Sequence, residues 1–197
     1  MNISFELYLV YAYSLPRYGI GKNGKLPWPN RLDGDMNHFY DITTSTPVNT
    51  NMNGVLMGRK TYMSLPVACR PLKNRINVVV TSYNWSSKDN LYFVSSYEEA
   101  IQLFNRLCVP KVFAIGGYSC FQYIADHFLN DCSGIFVTEV FHDYESDVFL
   151  PLQLQQIPKN FVLVEKPKQI QEREICYSIY NYSAVSNLLP NYAVLPL

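Results

Sequence analysis

The sequence predicts a single α/β domain: a central, mostly parallel sheet of eight strands with an antiparallel C-terminal edge, flanked by four helices. Its 197 residues suit one domain, because domains of ~100 to 200 residues are the rule. Short apolar runs alternate with helix-like stretches until about residue 130, which is typical of a parallel sheet with helices on both faces. The last three apolar runs follow one another without helices, which predicts antiparallel pairing there.

The predicted strands are runs rich in β-branched and aromatic residues that lie between turn signals. They cover residues 3–13, 54–57, 76–81, 91–94, 111–115, 134–141, 161–165 and 175–184. The predicted helices cover residues 35–43, 60–65, 97–107 and 118–128. Ser96 and Glu99 have the spacing of a capping box, which fixes the start of the third helix. We expect a domain over residues 1–186 and a C-terminal tail over residues 187–197.

The composition excludes several classes of protein. Hydrophobic residues make up 48% and charged residues 16%, against about 25% charged in an average soluble protein, so a disordered chain is excluded. Sixteen basic residues balance sixteen acidic residues, which argues against nucleic acid or an anionic membrane as the main partner. No apolar stretch reaches the ~18 residues of a membrane-spanning helix, and the N-terminus lacks the cationic region of a secretory signal.

The five cysteines are odd in number and never form a C-x-x-C pair, which is typical of reduced thiols and favours the cytoplasm. The three histidines lie far apart in the sequence, so no metal site is expected.

Residues 19–24 match G-x-G-x-x-G, the motif of dinucleotide-binding turns. In that motif the glycines open a helix whose N-terminus binds pyrophosphate. Here Pro27 and Pro29 follow closely, and two prolines so placed exclude the helix. We therefore interpret the segment as a loop.

Two strand-to-helix turns are candidate phosphate sites. Residues 58–61 (GRKT) resemble the end of a P-loop, but only three residues separate Gly54 from Gly58 and the P-loop needs four. What remains is a helix start with two bases and a hydroxyl, which suits phosphate but also occurs at ordinary solvated helix starts. Gly116 and Gly117 lie in a second such turn, at the carboxyl edge where α/β sheets bind ligands, although glycine pairs also occur in plain tight turns.

A third candidate feature is an acidic residue at a helix start. Asp35 shares a helix face with Met36 and Phe39. An acid in the first turn also occurs simply because it complements the helix dipole.

Six segments lie in a characteristic order along the chain. They are residues 19–29 (GIGKNGKLPWP), 55–61 (VLMGRKT), 70–75 (RPLKNR), 114–117 (AIGG), 136–138 (FVT) and 143–151 (DYESDVFLP). Together they resemble the dihydrofolate reductase family, over roughly residues 3–183, with insertions similar to those of its eukaryotic branch.

The resemblance implies NADPH-dependent reduction of 7,8-dihydrofolate to tetrahydrofolate, in support of one-carbon metabolism and of thymidylate and purine synthesis. It also implies binding of antifolate inhibitors, a monomer, and a cis peptide bond between Gly116 and Gly117. The chain length argues against a fused thymidylate synthase domain, so a monofunctional protein is expected. Two alternatives stay open: a relative of the same fold that reduces another pterin-like or pyrimidine-like compound, and a catalytically weak folate-binding or regulatory protein.

The resemblance also assigns the site residues. For catalysis it implies Asp35, Trp28 and Thr138. For folate it implies Ala12, Asp35, Met36, Phe39, Leu65, Pro66, Cys69, Leu72, Arg75, Ile115 and Thr138. For NADPH it implies Ala12, Ile20, Gly21, Lys22, Gly24, Gly58, Arg59, Lys60, Thr61, Ser64, Thr81, Ser82, Ser96, Gly116, Gly117, Tyr118, Ser119, Cys120 and Phe121. The family pattern also implies that residues 20–28 form a lid and that Arg75 binds the glutamate α-carboxylate.

The sequence departs from the family pattern in four places. Asp35 lies seven positions after Trp28, one more than expected, and Gly34 precedes it, so Asp33 is an alternative acid. Phe39 restores the family's spacing after the acid, which favours Asp35. The other two departures are Phe121, where many members have tyrosine, and Ser82, where vertebrate relatives carry arginine.

Overall fold

The computed structural model describes residues 2–46 and 51–188. Within these ranges there are eleven strands and four α-helices. In chain order they are β1 (Glu6–Ser14), β2 (Gly19–Gly21), α1 (Asp33–Thr44), β3 (Gly54–Gly58), α2 (Arg59–Ser64), β4 (Ile76–Val80), β5 (Leu91–Val94), α3 (Tyr97–Arg106), β6 (Lys111–Gly116), α4 (Tyr118–His127), β7 (Cys132–Val140), β8 (Val148–Phe149), β9 (Phe161–Leu163), β10 (Lys168–Glu172) and β11 (Ile175–Ala184).

The described strands form one sheet in the order β10-β11-β7-β1-β6-β3-β4-β5, with β2 and β9 attached to β1 and β11 and with β8 paired to β2. Strands β1 and β3 to β7 are parallel, whereas β9, β10 and β11 pair antiparallel at one edge. The predicted fold class is therefore confirmed. The parallel strands all end at the same edge of the sheet, where a ligand site is expected.

Helices cover both faces of the sheet. One face packs against α3 and α4 through Ile101, Phe104 and Ile124, and the other packs against α1 and α2. Strand β3 lies between these layers, and its residues Val55, Leu56 and Met57 are completely buried. This double coverage explains why its sequence is a continuous apolar run rather than an alternating one.

Three short strands, β2, β8 and β10, were not predicted from the sequence. β2 and β8 have three and two residues, and β10 is a mostly polar edge strand with the sequence KQIQE. None of them has the apolar run on which strand prediction depends. Of the predicted tail, residues 189–197 lie outside the described ranges.

The capping prediction for α3 is confirmed, since the hydroxyl of Ser96 accepts a 3.1 Å hydrogen bond from the backbone N–H of Glu99 and the helix begins at Tyr97. None of the helices in the described ranges is long and apolar enough to cross a membrane.

Candidate active site

A cleft of about 2010 Å³ lies at the carboxyl edge of the parallel strands. Ala12 of β1, Ile115 of β6 and Thr138 of β7 lie on its floor, and residues of α1, α2 and the loop after β2 form its walls. All the predicted site residues line it except Ser96, Gly116 and Cys120. The sheet therefore gathers segments separated by more than 100 residues of sequence around one cavity.

The three exceptions make contacts with other parts of the fold. The hydroxyl of Ser96 caps α3. Cys120 is completely buried against Leu56, and burial raises the pKa of its thiol to about 12. Gly116 faces the ring of Phe121, which a Cβ at that position would approach to 3.1 Å.

Asp35 is the buried acid of the cleft. It is only 8% exposed, and its Oδ1 accepts a 2.6 Å hydrogen bond from the hydroxyl of Thr138 on β7. Burial raises the pKa of Asp35, with a smaller contribution from the charge of Glu172, whereas the Thr138 hydrogen bond and the charge of His38 act in the opposite direction. The carboxyl group is thus held in one orientation with its proton affinity increased.

Asp33, the alternative acid, points elsewhere. It is exposed, pairs with Arg31 at 3.1 Å, and does not itself line the cleft. The two acids are two residues apart on α1 and so lie on nearly opposite sides of the helix. This geometry favours Asp35 as the functional carboxylate.

Trp28 lines the same cleft as this acid. Its indole is 5% exposed and packs in a cluster with Leu32, Val140, Ile175 and Tyr177. The cluster fixes the end of the loop that connects β2 to α1.

The loop itself is a small hairpin. Lys22 and Lys25 exchange two backbone hydrogen bonds, and Asn23 and Gly24 between them have φ of 50° and 74°. These are the left-handed conformations of a two-residue hairpin turn, for which Asn-Gly is the preferred sequence. The G-x-G-x-x-G match is therefore a hairpin, as its prolines indicated, and not the start of a helix.

Residues of the 143–149 segment hold the hairpin over the cleft. Asp147 accepts a 2.7 Å hydrogen bond from the N–H of Asn23 and donates its own N–H to the carbonyl of Gly21. Lys22 forms an ion pair with Glu145 at 2.6 Å. These contacts fix the hairpin to residues 145–147.

Arg75 provides a buried cation at the other end of α1. It is 4% exposed, its Nη1 donates a 2.8 Å hydrogen bond to the hydroxyl of Thr43, and its Nε donates to the carbonyl of Lys73. Desolvation lowers the pKa of Arg75. Arg75 lines the cleft, and none of the ion pairs in the described ranges includes it.

The two predicted phosphate turns lie side by side, because β3 and β6 are neighbouring strands. A Cβ on Gly117 would lie 3.2 Å from the hydroxyl oxygen of Thr61. The peptide bond between Gly116 and Gly117 is cis, as expected from the resemblance. Together the turns form a narrow cradle of backbone that a side chain would fill.

Beyond the cradle, Arg59, Thr81 and Ser82 line the outer end of the cleft. The guanidinium carbon of Arg59 lies 4.6 Å from the centroid of the Tyr83 ring, a cation–π contact. The hydroxyl of Thr81 accepts a hydrogen bond from the N–H of Tyr83. This end therefore offers one base and two hydroxyl groups.

Comparison with known proteins identifies the family. Residues 6–184 match the family model described as dihydrofolate reductase. The chain belongs to the dihydrofolate reductase family. The dihydrofolate reductase of Candida albicans is 36% identical over 157 residues, which cover 77% of this chain and 79% of that protein. The Gallus gallus dihydrofolate reductase is 33% identical over 165 residues, which cover 79% of this chain and 84% of that protein.

Longer relatives also occur. The bifunctional dihydrofolate reductase-thymidylate synthase of Daucus carota is 38% identical over 152 residues, which cover 74% of this chain but 28% of that protein. The chain thus spans little more than a quarter of the length of this plant relative. All three relatives are eukaryotic, and the eukaryotic-type resemblance seen in the sequence is confirmed.

Several cleft residues were missed by the sequence reasoning. Tyr97 lines the cleft, and its hydroxyl lies 2.9 Å from that of Ser119. His38 and Phe136 also line it, with ring centroids 5.8 Å apart. Tyr97 directly follows the capping residue Ser96 at the carboxyl edge, and this position is the signal that could have indicated it. His38 follows Asp35 by one helical turn, which is an equally local signal.

Proposed function

We propose that this chain reduces 7,8-dihydrofolate to tetrahydrofolate with NADPH as the hydride donor. The observation that carries the proposal is a pair of opposite charges, Asp35 and Arg75, which are buried, face the same cleft and have no ion-pair partner among the described residues. Thr43, which bonds to Arg75, lies eight residues after Asp35 on α1. At a rise of 1.5 Å per residue, the two positions are roughly 12 Å apart along the helix axis. Dihydrofolate carries groups for both ends, a pterin ring and a glutamate carboxylate.

Asp35 has the position of a pterin anchor. A carboxylate there can accept two charge-assisted hydrogen bonds, from the 2-amino group and from N3 of the pterin. By orienting the ring and adding negative charge beside it, Asp35 favours the protonation at N5 that must accompany hydride transfer to C6. Thr138 fixes the carboxylate, and Trp28 with the hairpin lines the same cleft, where bound ligands would displace water from these contacts.

Arg75 has the position of a tail anchor. Its planar guanidinium suits two-point pairing with a carboxylate. The walls between the two anchors are apolar and fit the pterin and benzoyl rings. They include Met36, Phe39, Leu65, Pro66 and Leu72.

The glycine cradle fits NADPH. Because Gly117 has no side chain, a phosphate group can approach its backbone from the cleft, whereas a Cβ there would crowd the hydroxyl of Thr61 at 3.2 Å, and Arg59 with Lys60 supplies positive charge nearby. Thr81 and Ser82 offer hydroxyl groups to the 2′-phosphate at the outer end. Bound NADPH supplies the hydride, while the chain holds both ligands in one water-poor cleft.

The test is the loss of NADPH absorbance with purified chain, measured with and without dihydrofolate. Oxidation that requires dihydrofolate supports the proposal. Tight folate binding without oxidation favours the alternative of a folate-binding or regulatory protein.

We also propose that the domain spans residues 1–186, acts as a monomer and works in the cytoplasm. The five cysteines are free thiols, which suits a reducing compartment. Sedimentation of the purified chain tests the monomer, and fractionation of cells tests the compartment.

A further inference from the structure

Glu172, the last residue of β10, binds the first turn of α1. Its Oε2 accepts a 2.6 Å hydrogen bond from the N–H of Asp33, and its Oε1 accepts a 2.7 Å bond from the N–H of Gly34. The residue at the N-cap position, Leu32, has no side chain that can cap the helix. A carboxylate from a distant strand therefore satisfies the free N–H groups that an N-cap residue usually satisfies.

Tyr177 and Gly34 complete this arrangement. The hydroxyl of the buried Tyr177 donates a hydrogen bond to Oε1 of Glu172. A Cβ at position 34 would lie 2.5 Å from that hydroxyl oxygen and 2.7 Å from Oε1 of Glu172. The additional residue between Trp28 and the acid is thus accommodated because residue 34 is a glycine.

The carboxyl group of Glu172 is held in its charged form. Desolvation raises the pKa of Glu172, but the hydrogen bonds from Tyr177, Gly34 and Asp33 outweigh it and leave the pKa below its usual value. The anion therefore persists at the end of the helix that carries Asp35.

We propose that Glu172 is a positioning residue for the reduction: by binding the amides of residues 33 and 34, it sets the direction in which the Asp35 carboxylate enters the cleft. The inference rests on the proposed function. Glu172 does not line the cleft, so it acts on the site indirectly, through its hydrogen bonds to α1 and through its charge.

The charge of Glu172 makes the arrangement testable. The charges of His38 on α1 and Glu172 on β10 act on the pKa of Asp35, and Thr138 on β7 contributes a neutral hydroxyl. Tyr177 on β11 is a further titratable group nearby, and its own pKa is raised in part by Asp35. Of these, Glu172 raises the pKa of Asp35. Removal of its charge must therefore move the titration of Asp35 to lower pH.

The experiment compares Glu172→Gln with Glu174→Gln, which removes the same charge from an exposed residue of the same turn. The readouts are the ¹³C NMR titration of the Asp35 carboxyl, the pH profile of kcat, and the affinity for NADPH. For Glu172→Gln we expect the titration and the profile to move to lower pH and kcat to fall about tenfold, since a misdirected catalytic group loses orientation. We expect NADPH affinity to stay within about twofold, because the cradle lies on other elements. Glu174→Gln should leave all readouts unchanged.

A second variant separates position from charge. Glu172→Asp keeps the charge, but its shorter side chain cannot reach both amides, so kcat should fall while the pH midpoint stays closer to that of the parent chain. The inference is overturned if Glu172→Gln retains the parent pH midpoint and kcat, or if Glu174→Gln reproduces its effects. The NMR titration needs no turnover. If the parent chain has no activity, the proposed function fails, but the titration still tests whether Glu172 acts on Asp35.

Discussion

The hydroxyl of Thr138 on β7 donates its 2.6 Å hydrogen bond to a carboxylate, that of Asp35, which lies 103 residues earlier on α1. The bond fixes the acid between the helix and the floor of the cleft. It also lowers the pKa of Asp35, against the larger effect of burial. The pair therefore determines both the direction and the proton affinity of the group that faces the pterin in the proposed function.

The first prediction concerns turnover. Asp35→Asn should reduce kcat at pH 7 by orders of magnitude, because an amide cannot be the anionic partner of the pterin. NADPH binding should persist, since the cradle does not include this residue. Asp33→Asn is the matched control and should change turnover little, because Asp33 is exposed and paired with Arg31. The reverse behaviour of the two variants would show that Asp33 is the functional acid.

The same substitution should stabilise the fold. Since burial raises the pKa of Asp35, the folded protein holds this proton more tightly than the unfolded chain. The stabilising contribution is full below the unfolded pKa of ~3.9 and is lost as pH rises through the folded pKa. Urea unfolding of Asp35→Asn should therefore show a higher free energy of unfolding than the parent at pH 7. A lower value at pH 7 would contradict the argument.

A third prediction isolates the hydroxyl of Thr138. Thr138→Val removes the donor at nearly constant volume, so the pKa of Asp35 should rise further and the pH profile of kcat should move to higher pH. The hydrogen bond that this variant loses stabilises the charged form of Asp35, and such a bond to a charged group is worth ~1.5 to 3 kcal/mol. Thr138→Ser retains a hydroxyl and is the control. If both variants leave the pH profile unchanged, the bond does not act on the acid.

How far the sequence predicted this site depended on whether its signals were local. Asp35 was favoured because Phe39 follows it at the spacing of the family pattern, and the glycine turns were visible as strand–glycine–helix patterns. Glu172 had no such signal: β10 is a polar edge strand, and its contact with α1 joins residues 138 apart. Ser96 had a local signal for one of its two expected roles: the capping-box spacing predicted that it caps α3, and in the structure it does so.

A fourth prediction tests the tail anchor. Arg75→Leu should raise KM for dihydrofolate with a smaller change in kcat, because the tail contact is made equally in the ground state and the transition state. The variant should lose more affinity for antifolates that carry a glutamate tail than for antifolates without one. Arg70→Leu is the control, since Arg70 lies over the Tyr62 ring outside the cleft. If Arg75→Leu weakened the binding of both inhibitor classes equally, Arg75 would not be the residue that binds the glutamate carboxylate.

The last prediction concerns the choice between NADPH and NADH, which differ in a phosphate and a hydroxyl at the 2′ position. Arg59 is the base at the outer end of the cleft, held by its contact with Tyr83, and Ser82 provides only a hydroxyl where vertebrate relatives carry a second base. Because one charge-assisted contact is worth ~1.5 to 3 kcal/mol, its loss changes affinity roughly ten- to a hundredfold. Arg59→Ala should therefore nearly abolish the preference for NADPH in kcat/KM, Arg59→Lys should retain part of it, and Ser82→Arg should increase it. An Arg59→Ala variant that still strongly prefers NADPH would mean that another residue recognises the phosphate.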